Sequence, residues 1–438
     1  MAEIVVTGDE VECSGDDAEL QARTTSGLQA KFYITCLPNE LLLHIFSFLS
    51  VPELCFSVAP VCTAWRDLAK DPILWRHLEF NFVYNTDTKR EQRLVTASPF
   101  LLSLELQNLT NGNFLLHVAD SCKMLRKLTL IHCIDPSYTC VLQLSERNRP
   151  VIQRLITDRH SRLTYSFLLT SGFKELRYLN FNMCSSLTDE ELESIARQCK
   201  HLQYLNIEDM SEIHDSSITL LTKELGHCLK SLHIHGKYLT DISYKSFSNL
   251  VLLEELMIMK CVNMTDVGLR GLHGLKKLTS LTLFLDDGVS VTGLTDLFTG
   301  KRLSQLVHLE LVFQSLNDLV VKTLARNCPN LLRLTLKCMT ATYGMFNPPL
   351  LTSSTMTDAG IAEVVARCPL LQELNLTRMP NLTGTALINI PTALPHLSGL
   401  ELWGCSRVNS TIIQRLEDQI PSLIVFSPKE LGWVRSFR

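Results

Sequence analysis

The sequence predicts an α/β protein in two parts: a short helical unit near the N-terminus, then a solenoid of repeated strand–turn–helix units. Two patterns lead to this prediction. The spacing Leu-x-x-Leu-x-Leu recurs from Leu101 almost to the C-terminus. The stretch from Cys36 to Leu78 carries more apolar side chains than so short a segment can bury by itself. The predicted fold therefore combines a long array of stacked repeats with a small unit whose apolar side chains must be covered by another part of the chain or by a partner.

The composition limits the classes of function. The 438 residues are 46% hydrophobic and 20% charged, with a formal net charge of -4, so we expect neither nucleic acid nor an anionic membrane as a partner. No apolar run approaches the roughly 18 to 20 residues of a spanning helix, and we find no signal-peptide pattern. The 15 cysteines, an odd number, indicate reduced thiols. We therefore expect a cytoplasmic or nuclear protein, or one present in both.

The repeat sets the architecture of most of the chain. Its first leucine positions are separated by 24 to 28 residues with one exception, which is the spacing of leucine-rich repeats. These positions are Leu101, Leu125, Ile152, Leu176, Leu202, Leu229, Leu253, Leu278, Leu306, Leu331, Leu371 and Leu397, with a terminal remnant at Leu423. We therefore predict about 12 repeats and a C-terminal cap.

Each repeat continues with a turn and an amphipathic helix. The turns end in pairs such as Thr188-Asp189 and Thr240-Asp241, which we interpret as helix N-caps. Strands pack about 4.8 Å apart and helices about 8 to 10 Å apart, so stacked units must curve with the strands on the inside. The predicted solenoid is a horseshoe with a concave parallel sheet and convex helices.

The cysteines follow the repeat rather than a metal-binding pattern, since no Cys-x-x-Cys pair occurs. Regular placement once per repeat predicts ladders of buried side chains. One ladder, eight residues after the first leucine, contains Cys133, Cys184, Met210, Cys261, Met339, Met379 and Cys405; the other, three residues before it, contains Cys122, Cys199, Cys328 and Cys368. We expect no metal site.

The N-terminal helical stretch resembles the F-box. "LPNELLLHIFSFL" matches its first helix, "VCTAWRDLA" its last helix, and "DPILWRHL" the segment that leads into leucine-rich repeats. Together with the cysteine-containing repeats, the chain resembles F-box and leucine-rich repeat proteins. The resemblance divides it into an acidic, disordered tail at 1–33, an F-box at 34–80 and a solenoid at 81–438.

The resemblance also implies a function. In this family the F-box binds the S-phase kinase-associated (Skp) adaptor, which links it to cullin and RING subunits, and the repeats bind a protein substrate for ubiquitination. The matching positions imply adaptor binding by Leu37, Pro38, Glu40, Leu41, Ile45, Phe46, Leu49, Val61 and Trp65. Trp75 is assigned instead to packing between F-box and solenoid.

A substrate surface is predicted on the concave sheet, where residues between the repeat leucines face solvent and aromatic, Met and Arg side chains suit an interface. Reading these positions yields Tyr178, Tyr204, His233, His235, Met257, Met259, Phe284, His308, Glu310, Phe313, Arg378 and Trp403. Met257, Met259 and Phe284 form the most compact group. His233 and His235 share the concave face, and we interpret them as surface contacts rather than metal ligands.

One irregular step of 40 residues, from Leu331 to Leu371, places an insertion at 341–356 between strand and helix. It has no charged residue and carries Tyr343 and Phe346, so it must cover either the rim of the solenoid or a bound partner. Both possibilities remain open, and we include these two aromatic residues among the candidate substrate contacts.

Other functions have weaker support in the sequence. We find no nucleotide-binding loop, zinc-protease motif or nucleophile elbow, and we expect a non-catalytic subunit. A polyanionic cofactor would need converging basic residues, whereas the concave positions hold only scattered Lys127, Arg154, Arg333, Lys337 and Arg378, so no cofactor is expected. An adaptor-bound scaffold without ligase output, or a repeat protein that senses a small molecule, remains an alternative.

Overall fold

The computed structural model describes residues 37–82, 88–110, 112–133, 152–157, 174–181, 187–208, 210, 212–339 and 354–426. The chain divides into two compact units, the first ending at Ala69 and the second beginning at Lys70. The predicted acidic tail at 1–33, Cys184, Tyr343 and Phe346 lie outside the described residues. We refer to residues 37–69 as the helical unit and to the described residues from 70 onward as the solenoid.

The helical unit consists of short helices around a small core. These are α1 (Asn39–Phe46), α2 (Val51–Glu53), which continues into a π-helical turn (Leu54–Val58), and α3 (Thr63–Leu68). Ser50 begins α2 with a capping box, because the Glu53 carboxylate accepts a hydrogen bond from the Ser50 N–H at 2.7 Å while the Ser50 hydroxyl accepts from the Glu53 N–H. Leu42, Phe46, Leu54 and Val58 are buried and form the core.

The solenoid contains one parallel sheet whose strands follow one another in sequence order. In the part of the chain that the structure describes, the 14 strands are β1 (His77–Asn81), β2 (Ser103–Gln107), β3 (Lys127–Ile131), β4 (Arg154–Thr157), β5 (Tyr178–Asn180), β6 (Tyr204–Ile207), β7 (Ser231–His235), β8 (Glu255–Cys261), β9 (Ser280–Leu285), β10 (His308–Val312), β11 (Arg333–Lys337), β12 (Glu373–Thr377), β13 (Gly399–Glu401) and β14 (Ile424–Phe426).

The strand register follows the leucine pattern. Leu104 pairs with Leu128, and Leu106 with Leu130, so equivalent leucines stack from one repeat to the next. These side chains are buried beneath the sheet, and the residues between them lie on its other, concave face. The predicted fold class is confirmed.

Strand β1 precedes the first repeat identified in the sequence. It pairs with β2 so that Leu78 lies beside Leu104 and Phe80 beside Leu106. This register places Trp75 at the position of a first leucine, at the end of a 3₁₀ helix (Pro72–Trp75). The segment 75–80 is therefore a degenerate repeat in which Trp and Phe replace two leucines. That Trp75 packs between the two units stays a prediction.

Helices flank the sheet on the side of the buried leucines. The α-helices are α4 (Lys89–Thr96), α5 (Asn113–Ser121), α6 (Asp189–Gln198), α7 (Asp215–Leu225), α8 (Asp241–Ser246), α9 (Asp266–Leu269), α10 (Val291–Phe298), α11 (Asp318–Asn327), α12 (Asp358–Arg367), α13 (Ile390–Ala393) and α14 (Ser410–Gln419). Short 3₁₀ helices occur at Phe247–Asn249, Arg270–Gly274, Thr299–Lys301 and Thr385–Asn389. No helix among the described residues is long and apolar enough to cross a lipid bilayer.

In each Thr-Asp pair the threonine caps the helix that follows, and the aspartate forms hydrogen bonds to the next repeat. Thr240 is the N-cap of α8, and its hydroxyl accepts the Ile242 N–H at 3.3 Å. Asp215, the first residue of α7, instead bridges to the next repeat, where it accepts the Thr240 N–H at 2.9 Å and the Thr240 hydroxyl at 2.6 Å. Equivalent bridges run from Asp189 to His214, Asp241 to Thr265, Asp266 to Ser290, Asp318 to Thr357 and Asp358 to Thr383. The aspartates therefore connect repeats.

These bridges require a small residue in the first turn of the following helix. Ser243 donates its hydroxyl to Asp215, whereas Gly268 and Gly293 leave room for the carboxylates of Asp241 and Asp266. A Cβ atom at either glycine would fall inside the van der Waals radius of the carboxylate oxygen. The Thr-Asp-x-Ser/Gly pattern is thus a structural signature of repeat stacking.

The cysteine ladders are buried as predicted, apart from Cys184, whose position is not described. Their thiols meet backbone carbonyls of the preceding repeat, as in Cys133 Sγ to Leu106 O at 3.4 Å and Cys405 Sγ to Leu376 O at 3.0 Å. Burial raises the pKa of the Cys261 and Cys328 thiols to about 12. These thiols are neutral at physiological pH and serve as packing groups.

Candidate protein-binding surfaces

The helical unit exposes large apolar side chains. Leu41, Ile45 and Phe48 are spaced at i, i+4 and i+7 and are 50%, 39% and 77% exposed. This spacing places them along one side of α1 and the turn that follows it. Phe56 and Val61 are also exposed, although Leu54 and Val58 of the same π-helical turn are buried. We call Leu41, Ile45, Phe48, Phe56 and Val61 the apolar set of the helical unit.

The residues predicted to bind an adaptor occupy three environments. Pro38, Glu40, Leu41, Ile45 and Val61 are exposed, and Leu37, Leu49 and Trp65 are half-buried. Phe46 differs from all of them, because it is only 1% exposed and its ring packs edge-on against Trp65, with centroids 5.1 Å apart. The structure corrects the prediction for Phe46: it supports the surface from inside and does not form part of it.

Two exposed residues of the apolar set were missed by the sequence analysis. Phe48 lies three residues beyond Ile45, and its ring contacts His44 edge-on with centroids 5.1 Å apart. Its helical spacing from Leu41 was the available signal. Phe56 had no such signal, because it lies in a π-helical turn, where each additional residue changes the direction of the side chains.

The concave face carries most of the predicted substrate residues. Met257, Met259 and Phe284 are half-exposed and alternate with the buried residues of β8 and β9. Tyr204 is half-exposed on β6, and its ring stacks on Tyr178 of β5 at 3.9 Å with 6° between the ring planes. These side chains face solvent from adjacent strands, as the pattern predicted, while their role in binding stays a prediction.

The two histidines of β7 are almost fully buried rather than freely accessible. His233 lies between carboxylates, with Nε2 3.2 Å from Glu255 and Nδ1 4.0 Å from Glu208. Its hydrogen bond to Glu255 lowers the pKa of that carboxyl below its usual value, despite the opposing effect of burial. His235 accepts the Lys237 N–H through Nδ1 at 3.3 Å. Both rings are therefore held in place by the protein itself.

Phe313 does not lie on the concave face. The outward alternation of β10 ends at Glu310, so Val312 and Phe313 are both buried, each only 1% exposed. The chain turns into the core here, and the Phe313 N–H donates to the carbonyl of Lys337 at 3.0 Å. The prediction for Phe313 was wrong because it extended strand alternation beyond the end of the strand.

Arg378 and Trp403 lie just after the carboxyl ends of β12 and β13, and the guanidinium carbon of Arg378 is 4.8 Å from the centroid of the Trp403 ring. Arg378 has a left-handed backbone, with φ of 57°. The same conformation occurs at Asn108, His132 and Lys260, which occupy the equivalent position in their repeats. The strain is therefore a property of the repeat and does not single out Arg378 as a functional residue.

The C-terminal end of the insertion, which the structure describes from Ser354, packs in the solenoid. Ser354 and Met356 are buried, and the Ser354 hydroxyl donates to the Leu316 carbonyl at 2.9 Å. Asn381 donates its side-chain amide to the Ser354 carbonyl at 3.2 Å. The described end of the insertion thus packs as part of the repeat array.

A shallow groove of about 650 Å³ crosses the concave face from β7 to β13. It is lined by polar and charged side chains, many of which pair with each other. Lys337 contacts Glu310 at 2.6 Å, and Arg333 contacts the His308 ring at 3.0 Å. Within the described ranges, no group of three His, Cys, Asp or Glu residues is placed to hold a metal ion. The groove suits a polar polypeptide better than an apolar small molecule.

Comparisons with known proteins identify both parts of the chain. A family model described as F-box-like matches residues 34–81. Putative F-box/LRR-repeat protein 9 of Arabidopsis thaliana is 23% identical over 244 residues, which is 53% of this chain and 89% of that protein. F-box protein SKIP19 of the same plant is 23% identical over 248 residues, covering 53% of this chain and 71% of that protein.

One match is shorter and more similar in sequence. F-box/LRR-repeat protein 5 of Salmo salar is 50% identical over 46 residues, covering 10% of this chain and 6% of that protein. Among solved structures, a chain of the Rad7 and Elc1 complex in yeast is 18% identical with a TM-score of 0.49, covering 88% of this chain and 87% of that chain. The F-box-like match, the named relatives and the parallel repeat sheet together support an F-box followed by leucine-rich repeats.

Proposed function

We propose that the chain is the substrate-recognition subunit of an SCF-type ubiquitin ligase. In this proposal the helical unit binds the Skp adaptor and the concave face of the solenoid binds the protein substrate. The observation that supports it best is the apolar set of the helical unit. Five large apolar side chains exposed on a unit of 33 described residues form the kind of surface that a protein partner covers.

The proposed mechanism requires no catalytic residue in this chain. The adaptor links the receptor to cullin and RING subunits, and the substrate is held near the ubiquitin-charged conjugating enzyme. Such tethering raises the effective concentration of substrate lysines to about the millimolar range. On this view the buried cysteines and the enclosed His233 serve stability, and the exposed surfaces carry the activity. We also propose that the protein acts in the cytoplasm, the nucleus or both, where thiols stay reduced.

The adaptor interface is tested by a double variant in which both Leu41 and Ile45 are replaced by Ser. Each side chain still exposes about half of its surface, so burial by the adaptor contributes roughly 1 kcal/mol per residue. The double variant should therefore bind the Skp adaptor about 30-fold more weakly, as measured by calorimetry. Ile242→Ser is the matched control, because Ile242 is 62% exposed on the solenoid helix α8. Equal adaptor affinity in the double variant and the control would disprove the assignment.

The scaffold alternative makes a different prediction. A scaffold would bind the adaptor through the same side chains but would not promote ubiquitin transfer. A reconstituted ubiquitylation assay with a verified binding partner distinguishes the two. Transfer that depends on Leu41 and Ile45 supports the receptor, and adaptor binding without any transfer supports the scaffold.

A further inference from the structure

The five basic residues that the sequence places on the concave face have different partners. Lys337 pairs with Glu310, Arg333 contacts the His308 ring, and Arg378 lies over Trp403. Lys127 and Arg154 have no carboxylate partner within the described part of the chain. On the neighbouring strand β2, Glu105 lies in register with Thr129 and accepts a hydrogen bond from the Gln107 side chain at 2.9 Å.

Lys127 and Arg154 are direct neighbours in the sheet. They are paired in register on β3 and β4, whose parallel strands lie about 4.8 Å apart. Like charges opposite each other on adjacent strands destabilise a sheet. Two such cations on the concave face therefore have a cost that the fold itself does not offset.

Arg154 is held in place by an aromatic stack. Its guanidinium carbon lies 4.2 Å from the centroid of Tyr178, which in turn stacks on Tyr204 at 3.9 Å. Cation–π contact uses the face of the guanidinium and leaves its N–H groups available as donors. The stack thus orders a charged donor group before any ligand arrives, which lowers the entropic cost of binding.

A buried hydroxyl beside these cations lacks a partner. Thr129 follows Lys127 by two residues on the same face of β3 and is only 4% exposed. Within the described residues its Oγ1 makes no hydrogen bond. Buried hydroxyl groups are normally satisfied, and an unsatisfied one costs about 1 to 3 kcal/mol. A donor without a partner therefore lies two residues along β3 from Lys127.

We propose that Lys127, Arg154 and Thr129 form a subsite for an acidic segment of the protein partner. The inference rests on the proposed function, which makes the occupant of the concave face a protein. Carboxylate and phosphoryl groups share the required chemistry, since both accept several hydrogen bonds from cationic donors. Nucleic acid fits less well, because two cations offer few phosphate contacts on a chain whose formal net charge is -4.

The test uses the full-length chain and fluorescein-labelled peptides. Fluorescence anisotropy compares a hexaglutamate peptide with a hexaglutamine peptide, and a phosphoserine peptide with its serine counterpart. The protein should prefer the charged member of at least one pair, and the preference should weaken as salt is raised. The pair that shows the larger preference identifies carboxylate or phosphoryl as the group bound.

The variants locate the site. Lys127→Gln with Arg154→Gln should lose about tenfold or more in affinity for the preferred acidic peptide. Lys245→Gln is the control, because Lys245 is exposed on the solenoid helix α8, outside the concave face, and affinity should stay within about twofold. Thr129→Val keeps the shape of the side chain, so it should weaken peptide binding without lowering the melting temperature.

Three results would overturn the proposal: no preference for either charged peptide, equal losses in the double variant and the Lys245→Gln control, or tighter binding of an oligothymidylate of equal charge. Adaptor affinity of the double variant is measured in parallel and should be unchanged. A loss of peptide binding with intact adaptor binding therefore tests this subsite separately from the proposed receptor function.

Discussion

Leu41 and Phe48 of the helical unit stay 50% and 77% exposed, whereas Leu205 and Leu232 in the repeats are 0% exposed. Both regions are rich in apolar residues, but they differ in what covers them. Each repeat has a neighbour on either side, and a parallel sheet stacks one leucine on the next. The helical unit has too few residues to surround its own apolar side chains.

The difference separates two uses of apolar surface. In the solenoid, burial is completed within the chain and contributes to stability. In the helical unit, the proposed function assigns part of the surface to another molecule, and the same type of side chain then contributes to association instead. The predictions that follow test this division, beginning with the largest expected effect.

The largest effect is expected inside the helical unit. Phe46→Ala removes a buried ring that packs on Trp65 and should lower the free energy of unfolding of this unit by about 3 to 5 kcal/mol. Hydrogen exchange of the α1 and α3 amides measures the loss, with the β7–β9 amides as the internal reference. A loss below about 1 kcal/mol would mean that Phe46 is not part of the core.

Adaptor binding should stabilise one region and not the other. At an adaptor concentration 100 times the Kd, the free energy of unfolding of the helical unit should rise by about 2.7 kcal/mol. Hydrogen exchange of α1 should slow accordingly, while exchange in β7–β9 stays unchanged. Protection spread evenly over both regions would contradict the division proposed here.

The aspartate bridges make the solenoid sensitive to acid. Burial raises the pKa of Asp215, but hydrogen bonds from Ser243 and Thr240 outweigh it, and the pKa lies below its usual value. A lowered pKa in the folded state stabilises the fold above about pH 4, and this contribution is lost as pH falls through the lowered pKa. Asp215→Asn should cost roughly 1 to 3 kcal/mol at pH 7.

The pH profile distinguishes this bridge from a general effect of charge. The difference in unfolding free energy between Asp215→Asn and the wild type should shrink as the pH falls from about 4 toward the lowered pKa of Asp215, because the unfolded chain binds a proton there before the folded protein does. Asp287→Asn, at an exposed carboxylate in a turn, is the control and should change stability little at any pH. A difference that stays constant with pH would exclude the bridge as its source.

The smallest change is expected for an exposed residue of the apolar set. Ile45→Ser should lower the free energy of unfolding of the helical unit by roughly 1 kcal/mol or less, because the side chain is 39% exposed and only partly buried within the chain. The same variant should bind the adaptor more weakly. A large loss of stability would show that Ile45 completes the core rather than the interface.

Periodicity made the solenoid predictable from sequence. Leucine spacing identified the strands from β2 onward, since every strand repeats the same buried positions. It missed β1, where Trp75 and Phe80 stand in for leucines and the match falls below the pattern. The Thr-Asp pairs were located, but sequence alone could not show that the aspartate contacts the next repeat, because that contact depends on the register between neighbours.

The candidate site was less predictable. Strand alternation placed Met257 and Met259 on the open face, and failed at Phe313, where the strand had ended. Lys127 and Arg154 looked scattered because they are 27 residues apart, although parallel pairing makes them neighbours. Helical spacing alone could not tell that Phe46 faces inward, since most of α1 is apolar and its buried side is chosen by contacts such as that with Trp65.

The series of aspartate bridges has one interruption. Between Asp189 and Thr383, six junctions between successive described helices carry a bridge, but α10 begins with Val291, which offers no carboxylate to Asn317 of the next repeat. We therefore expect the joint between α10 and α11, which lacks this bridge, to be mechanically softer than its neighbours. A pulling force applied at both ends should first separate the repeats there, leaving β7–β9 and β10–β13 as two blocks that extend later.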